Sequence, residues 1–105
     1  MRRLLSTTEA RPAATGAGAA FAVEKAWRLN PQVALRDEAF GALAYHYGNR
    51  RLVFLKSRTL VTLVSSLADH PSAAAAIEAC VPPGEHATYE RALARLAASE
   101  VLDAC

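Results

Sequence analysis

From Val33 onward the chain switches between two hydrophobic periods. Alternation suited to strands runs up to Lys56, and spacing suited to helices follows from Ser57. Val33-Ala34-Leu35-Arg36 alternates enough for a short strand, closed by the turn-prone Asp37-Glu38 and by Gly41. Two β-favouring runs, Ala42 to Tyr47 and Arg50 to Lys56, then flank Gly48-Asn49. A Gly-first two-residue loop predicts a type II′ turn, which pairs Tyr45 with Leu52, Ala44 with Val53 and Leu43 with Phe54.

In that register one hairpin face holds Leu43, Tyr45, Leu52 and Phe54, and the other holds Ala42, Ala44, His46, Val53 and Leu55. The aromatic face is expected to pack on helices. With a two-residue loop, Leu52 and Phe54 direct their backbone groups to the middle strand. Arg51, Val53 and Leu55 then direct theirs to the open edge.

Ser57 is placed to cap a helix in which Leu60, Leu63, Val64 and Leu67 recur at helical spacing before Pro71 ends it. Ser72 can cap a second helix, Ala73 to Cys80, ended by Pro82-Pro83. A third is predicted from Glu85 to Ser99, with Tyr89, Leu93 and Leu96 on one face and Arg91 and Arg95 four residues apart on another. Val101 and Leu102 are expected to tuck onto the core. The order, a three-stranded antiparallel sheet followed by three helices, predicts a winged-helix-like α+β fold.

Residues 1 to 22 have no apolar periodicity and read as a flexible tail, leaving one domain over residues 23 to 105 anchored at its start by Trp27 and Leu29. The apolar run after Met1-Arg2-Arg3 stops at Ser6, so no signal-peptide core follows, and no apolar stretch approaches a membrane span. Cys80 and Cys105 match neither metal-ligand nor disulfide spacing, which suits a reducing, cytoplasmic compartment.

The net charge of +2 conceals a segregation. No acid occurs between Ala39 and Ala68, where Arg50, Arg51, Lys56 and Arg58 fall, whereas from Asp69 onward six acids face only Arg91 and Arg95. A basic hairpin beside an acidic helical half favours an acidic partner.

The residues able to carry chemistry are few and scattered. His46, His70 and His86 form no i,i+4 pair and lie in no cluster of carboxylates or cysteines, and His46 at the hairpin tip reads as a surface group. Cys80 sits among alanines without a neighbouring base and reads as a core residue. Phosphate loop, nucleophile elbow and dinucleotide fingerprint are all missing, so a non-catalytic protein with no cofactor and no metal is expected.

Winged-helix order raises nucleic-acid binding as the rival reading. Residues 72 to 100, however, carry four acids against two arginines, where a recognition helix needs positive charge. The hairpin offers something else. Its last strand, Arg50 to Lys56, lies at an edge, where unpaired backbone groups can accept an extended peptide unless charge blunts them.

The succession WRLNPQVALR, FGALAYHYGNRRLVFLKS, LVSSLADHPS and YERALARLA resembles the PqqD-like peptide-recognition proteins, in their mycofactocin-system branch, from Ala26 to Leu102. That resemblance implies a chaperone that binds the leader of a ribosomally made precursor peptide and presents it to a radical S-adenosylmethionine maturase. It further implies that the leader adds as a strand beside the third strand and lies against the third helix. The residues so assigned are Arg50, Arg51, Leu52, Val53, Phe54, Leu55 and Lys56 on the strand, with either Tyr89, Leu93 and Leu96 or Arg91 and Arg95 lining the groove from the helix, whichever face turns toward it. The tail before Phe21 and the nearly bare alanine second helix depart from the family pattern.

Overall fold

The structure is a computed structural model and describes residues 21–105; the expected tail lies outside the described residues except for Phe21 and Ala22. Among the described residues, five strands and three α-helices follow one another as β1 (Trp27–Leu29), β2 (Val33–Glu38), β3 (Gly41–His46), β4 (Leu52–Leu55), α1 (Arg58–Ser66), α2 (Ala73–Cys80), α3 (His86–Ala98) and β5 (Leu102–Ala104). Single 3-10 turns at Leu67–Asp69 and Pro83–Glu85 precede α2 and α3. The antiparallel sheet β2-β3-β4 comes before the helices, giving the winged-helix-like α+β arrangement.

A second, two-stranded ribbon, β1 with β5, was not predicted. It pairs Trp27 with Ala104 and Leu29 with Leu102, and so ties the two ends of the described chain together. Each strand has three residues, too few to show a period. Trp27 is buried, packs on Phe21 with ring centroids 4.9 Å apart and donates its indole N–H to the Ala22 carbonyl at 2.9 Å.

Helix boundaries follow their caps. Ser57 Oγ accepts the Leu60 N–H at 3.0 Å and Ser72 Oγ accepts the Ala75 N–H at 3.0 Å, as the serines before each apolar run predict. At the end of α3, the Val101 N–H reaches the Leu96 carbonyl and the Glu100 N–H reaches that of Ala97. Glu100 itself is left-handed (φ 67°), so a Schellman cap is built on a non-glycine residue.

The sheet corrects several expectations. β2 runs on through Asp37 and Glu38, which pair with Ala42 and Gly41, so the turn lies at Ala39-Phe40 instead. Pairing overrides the turn preference of the two acids, and Arg36 meets Glu38 at 3.2 Å. Gly41 is required there: its φ is 149° and a side chain would collide with the Leu55 carbonyl oxygen.

The β3–β4 register is the predicted one, Tyr45 with Leu52 through Ala42 with Leu55. The two faces are reversed. Ala42, Ala44, His46 and Leu55 are buried against the helices, whereas Leu43 and Tyr45 are half-buried and Leu52 and Phe54 exposed. Small Ala42 and Ala44 on the middle strand let α1 bring Leu60, Leu63 and Val64 onto the sheet, a closeness the bulkier face would not permit.

The loop is also different. Gly48 is not left-handed; Arg50 is (φ 64°), and its N–H donates to the His46 carbonyl while the His46 N–H donates to that of Arg51. Tyr47 to Arg50 therefore form a four-residue loop. His46, expected at the surface, is 4% exposed and builds it: Nδ1 accepts the N–H groups of Gly48 (3.0 Å) and Asn49 (3.1 Å). Asn49 Oδ1 accepts the Arg51 N–H at 2.9 Å. Two side chains thus accept three N–H groups in and beside the loop, those of Gly48, Asn49 and Arg51.

Candidate functional site

The four-residue loop sets which backbone groups are free. In an antiparallel pair, hydrogen-bonded and non-hydrogen-bonded positions alternate. With the His46 N–H on the Arg51 carbonyl, the bonded pairs are Ala44 with Val53 and Ala42 with Leu55. Leu52 and Phe54 therefore turn their N–H and C=O groups away from β3, and because β4 is an edge of the sheet those groups face outward. The expected parity, with Arg51, Val53 and Leu55 open, is inverted.

Beside this edge lies a cleft of 240 Å³ between β4 and α3, with Val53, Leu60, Ala92 and Leu96 as its apolar floor and Arg95 and Ser99 at its rim. A smaller hollow of 120 Å³ continues it toward the hairpin tip, between Asn49, Arg51 and the end of α3. Polar ties brace both ends. At the tip, Asn49 Nδ2 donates to the Ser99 carbonyl (3.4 Å) and to Glu100 Oε1 (3.3 Å). At the base, the hydroxyls of Ser57 and Tyr89 are hydrogen-bonded at 3.1 Å. The spacing of strand and helix is thus held by contacts outside the apolar floor.

The residues assigned from sequence divide among three places. Leu52, Val53 and Phe54 form the edge, and Val53, Phe54, Arg95 and Leu96 meet at the cleft. Arg50, Arg51, Lys56 and Arg91 are exposed, Arg51 at the hollow near the hairpin tip and Lys56 on the outer face of the sheet. Leu55 and Leu93 are fully buried, so their side chains belong to the core and reach no partner; Leu96, also buried, contributes only to the cleft floor. Tyr89 braces the site through Ser57. Sequence reasoning missed Leu60, Ala92, Asn49 and Ser99. Asn49 carried a signal, as a residue next to glycine in a turn, but its reach to α3 spans 50 residues and is visible only in the fold.

The charged residues of this region are Arg95 at the cleft and Arg51 with Glu100 at the hollow beside it. Among the described residues, Arg50, Arg51, Lys56, Arg58, Arg91 and Arg95 make no ion pair with a carboxylate; the pairs present are Arg28 with Asp103 and Arg36 with Glu38. Among the same residues no group of three or more His, Cys, Asp or Glu side chains is gathered to hold a metal ion, and no helix is long and apolar enough to cross a membrane.

On the outer face of the sheet an apolar patch continues from the edge. Phe54 (55% exposed), Leu52 (54%) and Phe40 (45%) stand in solvent, and the Phe40 and Phe54 rings meet edge to face at 5.8 Å. Phe40 was not assigned from sequence, because it lies in the turn that was expected two residues earlier.

An open strand edge thus lies beside an apolar cleft on a winged-helix-like α+β scaffold. The chain belongs to the peptide chaperone MftB family, whose profile matches residues 26–103. It is 52% identical over 103 residues to the peptide chaperone MftB of Mycobacterium ulcerans (strain Agy99), covering 97% of this chain and 94% of that protein. Identity to the proteins of the same name from Mycolicibacterium smegmatis (strain ATCC 700084 / mc(2)155) and Mycobacterium tuberculosis (strain ATCC 25618 / H37Rv) is 51% and 47% over 83 residues. Those matches cover 78% of this chain and 81% and 76% of the respective relatives. No solved structure matches the chain significantly.

Proposed function

We propose that this protein binds the leader segment of the mycofactocin precursor peptide as an added strand on the edge of β4, over the cleft to α3. It then presents the rest of that peptide to a radical S-adenosylmethionine maturase, performing no chemistry itself. The observation that carries the reading is the outward-facing backbone of Leu52 and Phe54 directly above the cleft. The named relatives support the peptide partner and the chaperone role. The working compartment is the reducing cytoplasm, in which Cys80 and Cys105 stay free thiols.

Magnitudes say how affinity is divided. The two N–H and two C=O groups of Leu52 and Phe54 form four hydrogen bonds to an added strand. At roughly 0.5–1.5 kcal/mol net each, these supply at most ~6 kcal/mol. Micromolar binding requires about 8 kcal/mol after the cost of association has been met. The backbone therefore sets position, and side chains buried on either side of the added strand must supply the remainder. An acidic leader suits the basic rim.

Calorimetric titration with the leader peptide, beside duplex DNA at the same ionic strength, tests the proposal. Saturable peptide binding with amide shifts concentrated at residues 51–56 and 88–99, and weaker DNA binding, is expected. Tighter binding of DNA would establish the nucleic-acid reading, and maturase affinity without peptide affinity would leave only a docking subunit.

A further inference from the structure

The cleft is one of two places where an added strand would bury side chains. On the opposite side of β4 a hollow of 380 Å³ lies between Phe40, Phe54 and Lys56, with walls that are entirely carbon: two rings and the aliphatic stem of the lysine. Phe54 borders both this hollow and the cleft.

We propose that this hollow is a second side-chain subsite for the same bound peptide, filled from the outer face of the sheet by an aromatic or long aliphatic side chain. The inference rests on the reading of β4 as the peptide-binding edge. Side chains of an added strand alternate between the faces of the sheet it extends, whichever way the strand runs. A residue opposite Val53 enters the cleft, and a residue opposite Phe54 stands on the outer face beside the Phe40 and Phe54 rings. Four backbone bonds fall short of useful affinity, and exposed Phe54 on the edge strand, with Phe40 of the β2–β3 turn packed on its ring, is the apolar surface best placed to make up the difference.

Charge completes the description of the occupant. Lys56 stands at the rim with no carboxylate partner among the described residues, and no acid occurs between Ala39 and Ala68. An acidic residue flanking the large apolar one would meet the Lys56 ammonium. The ligand is therefore an extended acidic segment with large apolar residues on both faces, in place of a one-sided motif.

The test is titration of the leader peptide, and of versions with each large apolar residue replaced in turn by serine, into four full-length proteins: wild type, Phe40→Ala, Lys56→Glu and Arg95→Glu. All three substitutions fall on exposed side chains, and thermal melts establish that each variant folds. Phe40→Ala is expected to weaken binding about tenfold, the effect of one well-packed aromatic contact. It should also make one set of leader positions indifferent to serine while positions an odd number of residues away stay sensitive. Lys56→Glu should weaken binding comparably. If Phe40→Ala and Lys56→Glu bind as wild type does while Arg95→Glu fails, the outer subsite is refuted and the cleft reading stands. If wild type does not bind the leader, both fall. Self-association of the free protein that Phe40→Ala abolishes would identify the hollow as a contact between copies and overturn the subsite.

Discussion

Single side chains hold the site in shape, and two of them carry measurable weight. His46 Nδ1 is the acceptor for the Gly48 and Asn49 N–H groups, and that loop in turn positions Asn49 against the end of α3. A side chain at Gly48 would overlap Gln32 Oε1 and come within 2.8 Å of His46 Cε1, so the glycine serves close packing here, with no left-handed φ needed. His46→Ala should lower stability by about 1–3 kcal/mol through unpaired donors, read as a drop in urea midpoint at unchanged m value. At the other end of the cleft, Tyr89→Phe is expected to cost about 1 kcal/mol. Ser57→Ala should cost more, since it also removes the α1 cap. In the double variant the Tyr89 change should add almost nothing, and full additivity in urea melts would exclude the hydroxyl pair as a brace. Ser57 was legible in the sequence because a cap is a local device. Its bond to Tyr89, 32 residues away, was not, and neither was the burial of His46, whose partners are loop N–H groups that composition does not reveal.

At the scale of the element, the hairpin separates what a pattern can settle from what it cannot. Alternation of Tyr45, Leu52, Phe54 and Leu43 fixed the register and the membership of each face. It could not say which face meets the helices, because bulk argued for the aromatic face while close approach of α1 required alanines. Nor could it give the loop length, which depends on His46 and Asn49 accepting the N–H groups of Gly48, Asn49 and Arg51. The same register is compatible with both loops, yet they expose opposite sets of backbone groups. Proline substitution reads this directly, since it removes one N–H. Leu52→Pro removes an outward group and should leave the fold in place while abolishing peptide binding, with Leu52→Ala as the control for the lost side chain. Val53→Pro breaks a bond to Ala44 and should destabilise the sheet by about 3 kcal/mol or more, a magnitude taken from prolines placed in helix interiors. Amide exchange and circular dichroism distinguish the two. The reverse outcome, with Val53→Pro folded and inert, would restore the two-residue loop and move the peptide contacts to the other residues.

Across the whole molecule, the charge segregation seen along the sequence is partly undone, because the fold brings Arg95 of the acidic half to the cleft beside β4, next to the hollow that Arg51 borders from the hairpin. The place of Arg95 was not legible from counting, which assigned α3 to the acidic side; only packing showed that it borders the cleft beside β4. The β1–β5 ribbon was likewise hidden, being two three-residue strands from opposite ends of the described chain, and it carries the ion pair of Arg28 with Asp103 at 3.9 Å. These two sites supply a contrast. If the proposed acidic peptide is held at the cleft, exposed charges at its rim would act on it through solvent, and peptide affinity should fall several-fold, roughly three- to tenfold, as salt rises from about 50 to 300 mM and the screening length shortens. Arg95→Gln should weaken binding at low salt and flatten this dependence, while Arg28→Gln, equally a loss of one positive charge, should leave both unchanged because Arg28 lies on the ribbon and already has a carboxylate partner. Net charge is the same in the two variants, so the comparison isolates position from total charge. Parallel slopes for the two would mean that the protein attracts its peptide only by overall charge, and the basic rim of the cleft would then have no part in capture.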